Sequence, residues 1–261
     1  MNHSVLQPIG TRIDGIDLIT LSADDVQDIK TLLAEHGAVI FPKQSVGDSA
    51  FVTFLRGFGE IAFTQGETSV EGFDNLLNIV SNVGRTRPPR SVFHVDTSYV
   101  RCPPAYTALR AVEIPSQGGE TLFTNQYRAY ETLHEDLRER LAGKLVRHVV
   151  SGLNLDSDAE TEARHPVFRK HPISGKTALF LSTPERCVGI SDIPDDEAKD
   201  IITQLFEHST REDNITRHAW AAGDVVMWDN ACVLHRGDHS RVVGDRVMHR
   251  GMVAGDVPVA A

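Results

Sequence analysis

Cysteine is scarce in this sequence, and its placement excludes several classes of small protein. Three cysteines occur among 261 residues, Cys102, Cys187 and Cys232, and no two of them form a C-x-x-C pair. An odd and widely spaced set argues against both a disulfide framework and a cysteine zinc site. The first residues also lack the basic start and apolar run of a secretory leader, so we expect a cytoplasmic protein.

Long apolar runs and an excess of basic residues are missing as well. No run approaches the ~20 apolar residues that a membrane helix needs, so we expect no membrane partner. The chain has 36 acidic residues against 26 lysines and arginines, a formal net charge of −10, and we therefore expect no nucleic-acid partner. With 41% hydrophobic residues the chain can bury a sizeable core. No shift in composition marks a boundary, and we predict a single domain over residues 1–261.

Several common catalytic motifs are absent too. No G-x-G-x-x-G follows a predicted strand, and neither G-x-S-x-G nor H-E-x-x-H occurs. Ser174-Gly175-Lys176-Thr177 resembles the end of a phosphate-binding loop, but Lys170 stands where that loop needs its first glycine. We interpret this segment as a turn between strands. Dinucleotide-binding, P-loop and nucleophile-elbow enzymes are therefore disfavoured.

The apolar pattern predicts short strands with helices before and between them. Val26, Ile29 and Leu33 recur at helical spacing after the capping residue Ser22. Because no regular strand–helix alternation is seen, we predict an α+β fold around an antiparallel sandwich or barrel. The predicted helices cover residues 22–36, 48–57, 129–142 and 194–208, and the predicted strands cover residues 38–41, 76–80, 92–97, 106–112, 121–124, 145–150, 178–181, 214–220, 224–229 and 246–254.

Two His-x-Asp triplets occur, and geometry separates them. Residues i and i+2 point to the same face of a strand but to different sides of a helix. His94 and Asp96 lie in a strand-like segment, so both side chains can reach one metal ion. His134 and Asp136 lie in a helical pattern, where we expect a solvated surface.

A third ligand can come from the apolar strand and turn that leads to His235. Two histidines and one carboxylate form the facial triad of non-haem Fe(II) oxygenases, which leaves three coordination positions open. His239 competes with His235 for this role, but its surroundings are polar and turn-like, so we favour His235.

The last predicted strand carries two arginines on one face. Arg246 and Arg250 are four residues apart, roughly 13 Å along a strand. Buried guanidinium groups need anions, because an unpaired buried charge is costly. Structural salt bridges could supply them; beside a metal triad, a dicarboxylate co-substrate and an acidic substrate could do so as well.

These motifs together resemble the taurine dioxygenase and 2,4-dichlorophenoxyacetate dioxygenase (TauD/TfdA) family of Fe(II)- and 2-oxoglutarate-dependent oxygenases. The resemblance covers most of the chain. It rests on Phe58-Gly59-Glu60, Phe93-His94-Val95-Asp96-Thr97, Pro103-Pro104, Gly118-Gly119-Glu120-Thr121-Leu122, Trp228-Asp229-Asn230 with His235, and Arg246-Val247-Met248-His249-Arg250.

The resemblance implies a double-stranded β-helix, or jelly roll, with flanking helices. It implies Fe(II) held by His94, Asp96 and His235, and a distal 2-oxoglutarate carboxylate on Arg246 and Thr121. The expected reaction consumes O₂, oxidises a C–H bond of a small substrate, and releases succinate and CO₂.

For the substrate, the resemblance implies an acidic group on Arg250. Thr64 stands where taurine-type enzymes have a histidine, which makes taurine itself a doubtful substrate. Arg85, Arg87 and Arg90 precede the metal segment and could add to an anion site, although a solvated loop is the simpler interpretation. A homo-oligomer is also expected.

Two alternatives stay open at this level. A zinc ion in the same triad could activate water for hydrolysis. A non-catalytic jelly roll could bind a small acid; it would then keep its affinity when His94 or Asp96 is replaced by alanine.

Overall fold

The helices begin where the sequence provides caps. The computed structural model describes residues 1–85, 91–153 and 155–261. At the first helix, the Ser22 hydroxyl accepts from the Asp25 backbone N–H at 3.1 Å, and the Asp25 carboxylate accepts from the Ser22 backbone N–H at 2.9 Å. This capping box satisfies two backbone donors. The helices are α1 (Ala23–His36), α2 (Asp48–Phe58), α3 (Gln126–Glu131), α4 (Glu135–Leu141) and α5 (Asp195–Ser209).

The single helix predicted over residues 129–142 is wrong. Two shorter helices, α3 and α4, are separated by a break at Thr132–His134. His134 is the N-cap of α4, where its Nδ1 accepts from the Asp136 N–H at 3.4 Å. The polar side chain thus starts a helix instead of continuing one. The predicted solvent exposure of His134 is confirmed.

Most strands belong to one large sheet, which is antiparallel except where β2 pairs with β3, and to a smaller antiparallel sheet. The large sheet has the order β1-β2-β3-β14-β6-β16-β4, with β5 paired to β16, and the smaller has the order β13-β7-β15. The strands are β1 (His3–Val5), β2 (Thr11–Ile13), β3 (Ala38–Phe41), β4 (Ile61–Ala62), β5 (Asn78–Ser81), β6 (Tyr106–Glu113), β7 (Thr121–Asn125), β8 (Leu145–Val149), β9 (Glu162–Pro166), β10 (Phe168–Lys170), β11 (Thr177–Leu179), β12 (Cys187–Ile190), β13 (Ile215–His218), β14 (Val225–Asp229), β15 (Val233–Gly237), β16 (Val247–Val253) and β17 (Val259–Ala260).

The two sheets pack face to face around a common core. Phe123 on β7 contacts Trp228 on β14, with ring centroids 5.6 Å apart. Val233 on β15 and Met248 on β16 belong to the same buried cluster. This sandwich is the jelly-roll core, and the predicted α+β fold class is confirmed.

Helices α1 and α2 cover the outer face of the large sheet. Gly251 on β16 allows the close approach of α2, because a Cβ there would lie 2.1 Å from Leu55 Cδ1. The Asp48 carboxylate at the start of α2 accepts from Arg110 at 2.6 Å and from His249 at 2.7 Å. The helix is therefore tied to strands β6 and β16.

The structure also differs from the predicted strands in two places. The strand predicted over residues 92–97 is not regular: only His94 pairs, through an isolated bridge to His235. Strands β9 and β10 lie in the segment around Pro166 that the sequence left unassigned. Arg87 and Arg90 lie outside the described residues. Across the part of the chain that the structure describes, no helix is long and apolar enough to span a membrane.

Candidate metal centre and co-substrate site

Two distant segments meet at the end of the sandwich to form the predicted triad. The backbone N–H groups of His94 and His235 each donate to the other residue's carbonyl, both at 3.0 Å. This pairing brings the two side chains together, with ring centroids 4.4 Å apart. His235 lies in the middle of β15, not at the end of a strand as the sequence suggested.

The ligand atoms of the triad converge on one point. Asp96 Oδ1 lies 3.7 Å from His94 Nε2, and Asp96 Oδ2 lies 3.5 Å from His235 Nε2. Although the segment is not a regular strand, His94 and Asp96 do face the same side. The prediction that these three residues come together is therefore met by the geometry.

Neighbouring groups fix the orientation of each ligand. His94 Nδ1 donates to the Val92 carbonyl at 2.9 Å, which leaves its Nε2 lone pair facing Asp96. The Thr107 hydroxyl donates to Asp96 Oδ2 at 2.8 Å and in turn accepts from Asn230 Nδ2 at 2.9 Å. Such outer contacts hold metal ligands in place and tune their basicity.

The electrostatics favour the ligand-competent protonation states. Desolvation lowers the pKa of His94 and lowers that of His235 to about 3, so both imidazoles are neutral at pH 7. Burial alone would raise the pKa of Asp96, but the neighbouring His235 ring and the Arg250 guanidinium group hold it well below its usual range. Two neutral imidazoles and one carboxylate fit a divalent iron ion.

A buried arginine faces the same cavity. Arg246 is 1% exposed, and burial lowers its pKa to about 10. Its Nε donates to the Gly119 carbonyl at 2.8 Å, and no carboxylate of the described residues forms an ion pair with it. Gly119 has a φ of 79°, and a Cβ there would lie 2.9 Å from Arg246 Cδ, so only glycine fits. A buried cation in this position calls for an anionic ligand.

The Thr121 hydroxyl is prepared to donate to such a ligand. Its Oγ1 accepts from Trp220 Nε1 at 3.0 Å and from Arg246 Nη2 at 3.4 Å. With both lone pairs taken, the hydroxyl proton remains available for an acceptor. The sequence had indicated Thr121 and Arg246 but had missed Trp220.

One cavity of about 510 Å³ joins the triad to this arginine. His94, His235, Thr121, Arg246 and Arg250 all line it. A small chamber of about 50 Å³ beside it is lined by Asp96, Thr64 and Arg250 among others. The two cavities are thus lined by the seven residues that the sequence had assigned to the metal, the co-substrate and the substrate.

Comparison with known proteins agrees with this geometry. The profile of the taurine catabolism dioxygenase TauD, TfdA family matches residues 2–252. The chain belongs to this family of dioxygenases.

Two relatives and one solved structure match this chain over nearly its whole length. The chain is 29% identical to the alpha-ketoglutarate-dependent 2,4-dichlorophenoxyacetate dioxygenase of Cupriavidus pinatubonensis, over 95% of each protein. It is 31% identical to an alpha-ketoglutarate-dependent sulfate ester dioxygenase of Pseudomonas putida, over 98% of this chain and 90% of the relative. The crystal structure of a taurine dioxygenase from Burkholderia xenovorans superposes with a TM-score of 0.86 at 30% identity, covering 99% of this chain and 92% of that one.

Arg250 of this TauD-family protein is already bonded on three sides. Its Nε donates to Asn78 Oδ1 at 2.9 Å, its Nη1 to Asp96 Oδ1 at 3.1 Å, and its Nη2 to Glu67 Oε1 at 3.2 Å. Two carboxylates therefore offset its charge. No sequence pattern had indicated Glu67, which lies in the irregular segment between β4 and β5.

Two further sequence candidates are located by the structure. The Thr64 hydroxyl hydrogen-bonds to that of Thr97 at 2.9 Å. His239, the rival of His235, lines the cavity but lies outside the triad. Burial and the charge of Arg246 lower the pKa of His239 to about 4. Arg85 also lines the cavity, and its Nε donates to the Ser81 carbonyl at 2.8 Å.

Proposed function

We propose that this protein is an Fe(II)- and 2-oxoglutarate-dependent dioxygenase that oxidises a C–H bond of a small anionic organic substrate and releases succinate and CO₂. The observation that carries the proposal is that one cavity joins a two-histidine, one-carboxylate triad to a buried arginine that has no carboxylate partner among the described residues. The relatives' names add support, since 2,4-dichlorophenoxyacetate and sulfate esters are both small anions.

In this proposal His94 Nε2, His235 Nε2 and the Asp96 carboxylate hold the iron. When bound, Fe(II) supplies the one-electron chemistry that couples O₂ reduction to oxidation of the co-substrate and the substrate. Thr107 keeps the Asp96 carboxylate turned toward the imidazoles through its 2.8 Å hydrogen bond.

Arg246 and Thr121 bind the distal carboxylate of 2-oxoglutarate. The guanidinium group supplies charge, and the Thr121 hydroxyl donates one hydrogen bond. Trp220 holds that hydroxyl in place at 3.0 Å. This anchor fixes the opposite, 2-oxoacid end of the co-substrate at the triad, because one end of a short dicarboxylate determines the position of the other.

Arg250 and Thr64 border the substrate beside Asp96 in the small chamber. Glu67 and Leu153 also line the main cavity. The single domain over residues 1–261, the cytoplasmic location and the homo-oligomer stay predictions.

The alternatives fit this chain less well. A zinc hydrolase on the same triad would leave the buried Arg246 and the donating Thr121 hydroxyl at the far end of the cavity without a role. A non-catalytic jelly roll that binds an acid would leave the converging ligand atoms of His94, Asp96 and His235 without a role. Membership of a dioxygenase family also argues against both.

Anaerobic reconstitution tests the proposal. Purified protein is mixed with Fe(II) and 2-oxoglutarate without O₂, and we expect a visible charge-transfer band. On admission of O₂, succinate forms in amounts that depend on both Fe(II) and 2-oxoglutarate. Absence of the band and of succinate, or the same hydrolytic product with Zn²⁺ alone, would rule the proposal out.

A further inference from the structure

A second cavity lies beside His94, separate from the one that holds Arg246. It has a volume of about 150 Å³, and its walls are formed by Val92, His94, Thr183 and Arg186. Since one water occupies ~30 Å³ of liquid, the space suits a small polar head group. His94 and Arg186 line both this side pocket and the main cavity. A group bound in the side pocket therefore sits next to the metal triad.

The Thr183 hydroxyl is the first sign that this pocket accepts a ligand. Thr183 is 4% exposed, and its Oγ1 has no hydrogen-bond partner among the described residues. Leaving a buried hydroxyl unbonded costs free energy, so such groups are nearly always satisfied by protein, water or ligand. An acceptor atom in the pocket would satisfy it.

Arg186 lies on the same tight turn between β11 and β12. The backbone N–H groups of Arg186 and Cys187 both donate to the Thr183 carbonyl at 2.9 Å, which fixes the backbone of the turn that carries Thr183 and Arg186. Arg186 Nε donates to Ser151 Oγ at 3.1 Å, and this contact anchors the guanidinium group at the cavity wall. A guanidinium and a hydroxyl that line the same small pocket are the kinds of donor that an oxyanion requires.

Arg250 already donates to three side chains of the protein. Its three nitrogens donate to Asn78, Asp96 and Glu67, so a substrate anion at Arg250 would compete with two carboxylates of the protein. An anion at Thr183 would instead gain a hydrogen bond that the hydroxyl otherwise lacks. The balance of contacts favours the side pocket.

We propose that the pocket of Thr183 and Arg186 binds the oxyanionic head group of the substrate, a carboxylate, sulfonate or sulfate ester. The inference rests on the proposed function, since it assigns the substrate of that same site. The head group lies against Val92 and His94, and the carbon to be oxidised extends into the main cavity toward the triad. Substrate recognition then depends on the turn after β11 as well as on β16.

Calorimetric titration tests this assignment without relying on turnover. The probes are phenoxyacetate, butyl sulfate and methanesulfonate, with phenoxyacetamide and butanol as neutral counterparts and inorganic sulfate as a free anion. They are added to the iron-free protein and to the anaerobic protein with Fe(II) and 2-oxoglutarate. We expect at least one organic acid to bind, about tenfold more weakly to Arg186→Met and about threefold more weakly to Thr183→Val, with a smaller loss for Arg250→Met.

The outcomes separate the inference from the proposed function. Equal losses for acids and neutral counterparts, unchanged affinity in both pocket variants, or a dominant loss in Arg250→Met would overturn the side pocket. So would binding of inorganic sulfate alone, or of no acid at all. Failure to form the charge-transfer band in wild-type protein would instead contradict the dioxygenase. Arg147→Met, at an exposed position of strand β8, is the matched control, and thermal melting checks that each variant folds.

Discussion

His94, Asp96 and His235 form one cluster of ligand-type side chains, and His171, Asp229 and Cys232 form another. In each cluster the candidate ligand atoms lie within 4.8 Å of one another. In the second cluster, however, His171 Nδ1 accepts from the backbone N–H groups of Ile173 and Ser174 at 3.2 and 3.1 Å. Its Nε2 must then carry the proton that is donated to Asp229 at 2.9 Å.

The difference lies in where the lone pairs point. The Nδ1 lone pair of His171 accepts hydrogen bonds from the backbone. His171, Asp229 and Cys232 are not among the residues that line the 510 Å³ cavity. His94 donates its Nδ1 proton to a carbonyl and keeps its Nε2 lone pair for the shared point. Residue types and proximity alone therefore do not distinguish a metal centre from a buried structural pair; hydrogen-bond direction and access do.

The largest expected contrast comes from neutralising one aspartate in each cluster. Asp96→Asn should weaken Fe(II) binding by more than about 100-fold and abolish succinate formation, because an anionic ligand is lost. Asp229→Asn should keep one iron per chain and lower the melting temperature by several degrees, because a buried hydrogen-bonded pair is weakened. Metal analysis after gel filtration measures the first and calorimetry the second. Loss of iron in Asp229→Asn would contradict the comparison.

A second contrast uses two buried arginines, one at each cluster. Arg246→Met should raise KM for 2-oxoglutarate about 100-fold, because a charge-assisted contact to the distal carboxylate disappears. Arg169 is 6% exposed and lies over the Phe180 ring at 5.1 Å, away from the cavity. Arg169→Met should change stability and leave that KM within about twofold of the wild-type value, as expected for a group outside the site. Equal KM effects in the two variants would refute the assignment of Arg246.

A smaller effect is expected one contact away from the metal. Thr107→Val removes the hydroxyl that donates to Asp96, and iron affinity should fall about tenfold. Thr216→Val is a matched control, since the Thr216 hydroxyl bonds only to the backbone of Ile9. The control should melt at a lower temperature but bind iron normally. Competition with a coloured chelator measures both affinities.

The smallest effect concerns cysteine reactivity in the folded protein. Burial raises the pKa of the Cys187 thiol to about 12, and burial with the nearby Asp229 charge raises that of Cys232 well above its usual range. Cys102 is exposed. Iodoacetamide at neutral pH should therefore attach one label per native chain, at Cys102, because the thiolate is the reactive form. Native labelling of Cys232, seen by peptide mass analysis, would show that the second cluster is open after all.

Much of the site could be predicted from short-range patterns. The two-residue spacing of His94 and Asp96 requires only an extended backbone, and the four-residue spacing of Arg246 and Arg250 requires only a strand. Most elements with strong periodicity, such as α1, were also located within a few residues. The break at His134 was missed because its flanking residues continue an apolar helical pattern, and only the cap geometry reveals the interruption.

The remaining features depend on contacts between distant segments. The bonds from Arg250 to Glu67 and Asn78 join β16 to an irregular segment and a neighbouring strand. The unbonded hydroxyl of Thr183 becomes visible only once every neighbouring acceptor has a position. No local pattern specifies such partners, because they follow from the packing of the whole sandwich.

The backbone pairing of His94 with His235 has a consequence for assembly. Two of the three ligands are aligned by main-chain hydrogen bonds, which involve neither imidazole ring. The ligand geometry thus depends on a pairing between segments that are far apart in the sequence, and such non-local pairings form slowly. Iron then binds to protein that has already folded. We therefore expect that apoprotein produced under iron starvation can be activated afterwards without unfolding.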